Sequence, residues 1–263
     1  TKGKFNLLGG SISYNEINQP QALPIGNFFS EEESALCGSG LYNKGEFIAT
    51  GGKLEYNNYD DVNMATLAGG GIACEHGSYN LIENCVIQNN VAEAGGGIAN
   101  LGGTLIFGNK ETLKGGLIAS NYAVVGAGIL NGSGPLFKRA YNLNVDKGTS
   151  ELKIYGGNIS ANTAYGYYDF PSTFGSNAIR DFFPNGGGIS NYSNFTLENA
   201  YIGQNKVILY YGQLKHRANE SSNDSPSIYD LFLPIGGGGI SSSGYFTESQ
   251  EQNSPNEEAI TMA

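Results

Sequence analysis

Residues that could carry chemistry are few in this chain of 263 residues, and they are scattered. Two carboxylates adjoin at Asp60-Asp61, in the turn-like run Asn57-Asn58-Tyr59-Asp60-Asp61. Two placed carboxylates can cleave a glycosidic bond by acid–base chemistry, and carboxylates also ligate calcium. Asp is equally common in turns because its side chain bonds the nearby main chain. The two histidines, His76 and His216, lie far apart, and each is expected as a surface side chain. Three cysteines, Cys37, Cys74 and Cys85, are too few and too widely spaced for a disulfide framework and match no zinc pattern. They are read as buried free thiols, or as one bridge such as Cys74–Cys85 with a thiol left over. Lys153 and Glu198 are single outward positions on strand-like stretches. No glycine cluster is followed by Lys and Ser or Thr, and the Gly-Gly-x-Gly-x-Asp calcium repeat is absent. The reading is therefore no catalytic residues, no metal and no cofactor.

Charge narrows the partners. Lys and Arg number 14 against 24 Asp and Glu, a net charge of −10, and the only arginines are Arg139, Arg180 and Arg217. Phosphate backbones and anionic lipids both need clustered cations, so neither nucleic acid nor an acidic membrane surface is an expected partner. No apolar run approaches the roughly 20 residues of a membrane-spanning helix.

The elements that must position any site come from a repeat. Gly contributes 40 residues and Asn 30, and both fall in register with aliphatic residues. One motif is a glycine cluster, an aliphatic residue, then a small or polar residue two positions on. It occurs as Gly38-Ser39-Gly40-Leu41 with Asn43, Gly69-Gly70-Gly71-Ile72 with Cys74, and Gly95-Gly96-Gly97-Ile98 with Asn100. It returns as Gly126-Ala127-Gly128-Ile129 with Asn131, Gly186-Gly187-Gly188-Ile189 with Asn191, and Gly237-Gly238-Gly239-Ile240 with Ser242. The second motif is an aliphatic residue with Asn three positions later: Ile12/Asn15, Leu54/Asn57, Ile87/Asn90, Ile118/Asn121, Ile159/Asn162 and Ile202/Asn205. The motifs alternate strictly. Between them lie short β-like stretches such as Phe47-Ile48, Leu81-Ile82, Leu105-Ile106, Leu152-Lys153-Ile154 and Phe195-Thr196-Leu197.

The cleanest unit, Ile72 to Ile98, spans 26 residues, enough for three short strands and three turns. A propeller blade needs roughly 40–45 residues, and so much glycine and β-branched residue disfavours helical repeats. The pattern predicts an all-β fold: a right-handed parallel β-helix of about six coils over residues 1–263, expected to be a segment of a longer secreted or surface protein. Its aliphatic residues stack into internal ladders as coils rise about 4.8 Å apart. Asn15, Asn57, Asn90, Asn121, Asn162 and Asn205 are expected to form a structural side-chain ladder, Asn also tolerating a left-handed backbone.

Coils differ mainly in one connection, between the Asn of the second motif and the next glycine cluster. Its successive lengths are 22 residues (16–37), 11, 4, 4, 23 (163–185) and about 30 (206–235). A separate insertion, 133–151, follows Asn131. Insertions repeated on one face often mark a binding face. Two of the long ones return through aromatic pairs, Phe28-Phe29 and Phe182-Phe183, and the third through Leu231-Phe232-Leu233. These either pack back on the solenoid or form a contact surface. The candidates for contact are Tyr165, Tyr167, Tyr168, Phe170, Phe182, Phe183, Tyr210 and Tyr211. Six Asn-x-Ser/Thr sequons begin at Asn131, Asn158, Asn191, Asn194, Asn219 and Asn223, the first and third of them on ladder positions expected to be buried.

The glycine-cluster-Ile and aliphatic-x-x-Asn pairs resemble the paired repeats of polymorphic outer membrane proteins, autotransporter-like surface adhesins. Those carry Gly-Gly-Ala-Ile and Phe-x-x-Asn; here Ile or Leu stands for Phe and Gly usually for Ala. The resemblance implies a non-enzymatic extracellular or cell-surface β-helix, an adhesin-like stalk or a subunit of a surface assembly. Its expected partner is a protein or glycan at a cell surface, or further copies of itself. The alternative is a polysaccharide-binding or polysaccharide-degrading module of the pectate-lyase-like fold. Pectin-cleaving hydrolases of that fold carry Gly-His-Gly and Arg-x-Lys segments, and neither occurs here.

Overall fold

The structure, a computed structural model, describes residues 3–17, 37–59, 66, 68–132, 150–168, 184–211 and 237–242. Among these residues there are 21 strands and no helix. The chain winds through six coils. Coil 1 is β1 (Lys4–Leu7), β2 (Ser11–Ser13) and β3 (Leu41–Asn43). Coil 2 is β4 (Glu46–Ala49), β5 (Lys53–Glu55) and β6 (Ile72–Glu75), and coil 3 is β7 (Tyr79–Ile82), β8 (Val86–Gln88) and β9 (Ile98–Leu101). Coil 4 adds a strand: β10 (Thr104–Gly108), β11 (Leu117–Ala119), β12 (Tyr122–Ala123) and β13 (Ile129–Asn131). Coil 5 runs β14 (Glu151–Tyr155), β15 (Asn158–Ser160), β16 (Thr163–Tyr168) and β17 (Ile189–Asn191). Coil 6 runs β18 (Asn194–Glu198), β19 (Tyr201–Gly203), β20 (Lys206–Tyr211) and β21 (Ile240–Ser242).

Each strand pairs in parallel with its counterpart one coil away. This makes three six-stranded walls: β1-β4-β7-β10-β14-β18, β2-β5-β8-β11-β15-β19 and β3-β6-β9-β13-β17-β21. The molecule is thus a parallel β-helix. Both aliphatic motifs keep register throughout. Ile12, Leu54, Ile87, Ile118, Ile159 and Ile202 form one row. Leu41, Ile72, Ile98, Ile129, Ile189 and Ile240 form the other.

Those rows face inward with Phe47, Leu105 and Leu152 of the first wall and make one continuous core. The middle-coil members, Leu54, Ile87, Ile98, Ile118 and Ile129, are fully buried. Each such side chain contributes about 1.5–3 kcal/mol, but only once the neighbouring coils cover it.

The glycine cluster turns the chain into the third wall, and its members do different work. Gly95 has φ +62, and a Cβ there would stand 2.5 Å from the Ile98 carbonyl oxygen. Gly97 has no unusual φ; its Cβ would lie 2.6 Å from the Gly128 carbonyl oxygen and 3.0 Å from the Asn121 amide nitrogen. One glycine supplies the left-handed turn and the other leaves room for the Asn ladder above it.

All three thiols are free and buried, so no Cys74–Cys85 bridge exists. Burial pushes the Cys37 and Cys85 thiols up to about 12 and raises Cys74 further still. Such thiols stay protonated and unreactive.

Candidate interaction corner

The corner between the second and third walls holds the Asn row, the variable connection and the glycine turn, in that order. Asn15, Asn57, Asn90, Asn121, Asn162 and Asn205 form the expected ladder, each Nδ2 donating to the next Oδ1 at 2.9–3.0 Å. Every such Oδ1 also accepts the preceding Asn's backbone N–H, at 3.0–3.2 Å. The second Nδ2 hydrogen bonds the aliphatic carbonyl of the coil before, as Asn121 does to Ile87 at 3.0 Å. An internal ladder amide therefore has both donors and both acceptor sites filled.

The left-handed residue in this turn is not the Asn but the one before it. Tyr14, Tyr56, Asn89, Ser120, Ala161 and Gln204 have φ between 53 and 60. That conformation costs an L residue roughly 1–2 kcal/mol and is most tolerable for Asn or Gly. Two tyrosines nevertheless occupy it in coils 1 and 2. Their rings stack at 5.2 Å with an interplanar angle of 4°, and Tyr59 meets Tyr56 edge-on at 5.3 Å. An aromatic pair returns about 0.5–1.5 kcal/mol, no more than the backbone strain of the two residues. Between Tyr56 and Tyr59 lies Asn58, also left-handed at φ 55 and fully buried, with no hydrogen-bond partner at either amide atom.

At coils 4 to 6 the same corner is built otherwise. The segments read from sequence as insertions 163–185 and 206–235 begin as strands. β16 and β20 pair in parallel with each other and with β12, forming a fourth, three-stranded wall. Both are rich in β-branched and aromatic residues, which favour this extended pairing over a loop. Tyr165 lies opposite Ile208, Tyr167 opposite Tyr210 and Tyr168 opposite Tyr211. Tyr165 also meets Tyr122 edge-on at 6.4 Å. Five of the candidate aromatics are thus on strands of one wall. Phe170, Phe182 and Phe183 lie outside the described residues, as do Asp60, Asp61, His216, Asn219, Asn223 and most of 16–37 and 133–151.

The other sequence candidates fall apart in space. His76 is at an exposed turn and Glu198 is exposed. Lys153 pairs with Glu151 at 2.7 Å, a hydrogen bond that raises its ammonium pKa. On the outside of the third wall, Lys44 bonds Glu75 at 3.0 Å, and Tyr42 donates its hydroxyl to the same carboxylate. Sequence reasoning missed this trio because register across coils brings its members together. Among the described residues, no three His, Cys, Asp or Glu converge as metal ligands. Of the sequons, Asn131 and Asn191 are buried ladder members, whereas Asn194 is exposed.

No family model, curated protein or solved structure matches this chain. What the corner can do rests on its own chemistry. The Tyr14–Tyr56–Tyr59 group was the site sequence reading passed over. Its signal was present, since Tyr14 and Tyr56 each precede a ladder Asn.

Proposed function

We propose that this protein is a non-catalytic extracellular or cell-surface scaffold, an adhesin-like stalk or surface-assembly subunit that attaches to protein or glycan through its variable corner. One observation carries the reading. The repeated residues are consumed in ladders, while connection length varies at one and the same corner, from 4 residues in coils 3 and 4 to about 30 in coil 6. A rigid wall with variable corner segments suits recognition, because scaffold and contact residues can change independently. The motif resemblance to autotransporter-like adhesins supports the same reading.

The test is to replace residues 16–37, 169–183 and 212–235 with corners as short as Val91–Ala94 and measure attachment to cells and immobilised glycans. Circular dichroism should show the β-fold retained while attachment is lost. Unchanged attachment would sink the proposal, as would release of reducing sugar or unsaturated product from polysaccharides.

A further inference from the structure

We propose that copies of this chain stack head to tail, coil 1 of one copy seated on coil 6 of the next, as one continuous solenoid. The proposal concerns the two end faces, which the corner reading leaves unused. Three observations carry it. The first is that both faces end in open core. Phe5 lies in register with Phe47, Leu105 and Leu152, and Leu197 with Ala49, Ile82, Phe107 and Ile154. Those inner members are fully buried, whereas Phe5 is 41% and Leu197 44% exposed. Continuing the register by one coil sets Phe195 against Phe5, Leu197 against Leu7 and Ile202 against Ile12. The Phe5–Phe47 stack, with centroids 5.5 Å apart, would gain a third ring.

The second observation is the polarity of the Asn row. It ends in an acceptor at one face and in donors at the other. Among the described residues, Asn15 Oδ1 accepts no hydrogen bond. Its Nδ2, which in later coils reaches the aliphatic carbonyl one coil back, folds onto its own Ser13 carbonyl at 3.3 Å. At coil 6, the Asn205 N–H and one Nδ2 hydrogen lack the next amide oxygen that every earlier coil supplies. Stacking offers them Asn15 Oδ1, and offers Asn15 Nδ2 the Ile202 carbonyl.

The third observation is charge. The residue after the ladder Asn reads Glu16, Asn58, Val91, Tyr122, Thr163 and Lys206 along the six coils. Only the two end members are charged. They are opposite in sign and exposed, and neither has an ion-pair partner among the described residues. Stacked coils place these positions side by side, as Thr163 lies beside Lys206. Lys206 of one copy therefore meets Glu16 of the next, whereas joining like ends would oppose like charges. Open solenoid ends with matching rows elongate unless something caps them.

Sedimentation velocity on the whole chain at rising concentration should show a ladder of oligomers. Electron microscopy of concentrated samples should show fibres with an axial repeat of about 29 Å, six coils at about 4.8 Å each. Glu16→Lys and Lys206→Glu should each weaken association several-fold, and the double variant should restore it. Phe5→Lys sets a cation in the joined core and should abolish association, with the melting temperature checking that the fold survives. A chain monomeric at every concentration overturns the proposal, whatever closes its end faces. Oligomers that Phe5→Lys leaves intact use another surface and also overturn it. A double variant no better than the single ones overturns the head-to-tail register. If shortened corners abolish attachment while the chain stays monomeric, this proposal fails and the corner reading stands.

Discussion

Two rows of amides run along the solenoid, and they are built differently. The row from Asn15 to Asn205 is unbroken across all six coils, and each internal member's side chain bonds an N–H and a carbonyl of the coil before and donates to the amide oxygen of the coil after. The row at the end of the third wall reads Asn43, Cys74, Asn100, Asn131, Asn191 and Ser242. Its amides also link coil to coil, Asn100 to Asn131 at 2.9 Å and Asn131 to Asn191 at 2.8 Å. Their oxygens, however, serve turns of their own coil, as Asn100 does for the Gly103 N–H at 3.1 Å. The first row staples coils to each other; the second also shapes individual turns. A break in the second row can therefore be mended locally.

The mend is visible at Cys74. Asn43, which would have donated to residue 74, donates instead to Asn80 Oδ1 at 2.7 Å. Asn80 Nδ2 then reaches the Thr104 carbonyl at 3.3 Å, matching the bond Asn100 makes to Glu151 one coil on. Asn80 sits at an inward position of the first wall where its neighbours in register are Phe47 and Leu105. An amide has moved across the turn into an apolar row, and the thiol takes the vacated place.

The contrast can be broken most sharply at its strong side. Asn121→Leu should strand the Asn90 N–H, one Asn90 Nδ2 hydrogen and the Ile87 carbonyl, while the Asn162 oxygen keeps only the backbone N–H of position 121; at ~1–3 kcal/mol per unsatisfied buried group, urea denaturation should show a loss of about 4 kcal/mol or more. Asn131→Leu in the second row removes fewer inter-coil bonds and should lose about 2–3 kcal/mol by the same measurement. A loss equal to that of Asn121→Leu would erase the distinction.

A double-mutant cycle sharpens the mended break. Asn80→Leu alone should destabilise by about 2 kcal/mol, whereas Cys74→Asn with Asn80→Leu should return most of it, a coupling of about 1–3 kcal/mol. Additive effects would mean that the two positions do not exchange roles.

Alkali offers a finer probe of the thiol in that gap. The folded-state pKa of each buried thiol lies above its ordinary value of 9.0, so above pH 9 the unfolded chain holds fewer protons than the folded one. The contribution is fully present below pH 9 and lost as pH rises toward the folded value, about 12 for Cys85. Between pH 9 and 11, Cys74→Ala should make the decline of stability shallower by up to about 1.4 kcal/mol per pH unit. The smallest effect belongs to the left-handed turn: Ala161→Gly should raise stability by a few tenths to about 1 kcal/mol, read as a shift in urea midpoint.

The repeat was legible because it is set by nearest-neighbour stacking. An aliphatic residue three positions before Asn, once per coil, leaves one register in which both bury together. Ile12 over Leu54 and Asn15 over Asn57 follow from spacing alone. Asn80 was not legible, since nothing local shows that an amide beside Leu81 points inward to complete a row interrupted at Cys74. The left-handed position was misassigned to the Asn, because the residue types before it, from Tyr to Ala, share no propensity for that conformation. Of the candidate corner, the sequence marked where length varies. It did not show that β16 and β20 extend β12 into a fourth wall.

The sequence by itself thus determined the coil, its six-fold repetition, the two interior aliphatic rows and the Asn staple, because each rests on residue type at a fixed short spacing. Tertiary structure alone decided which side chains meet across coils. Asn43 finds Asn80, Tyr14 lies flat on Tyr56, and Asn58 is buried without a partner. Those contacts join residues separated by tens of positions, and their geometry is fixed by the stacking of whole coils rather than by any local preference.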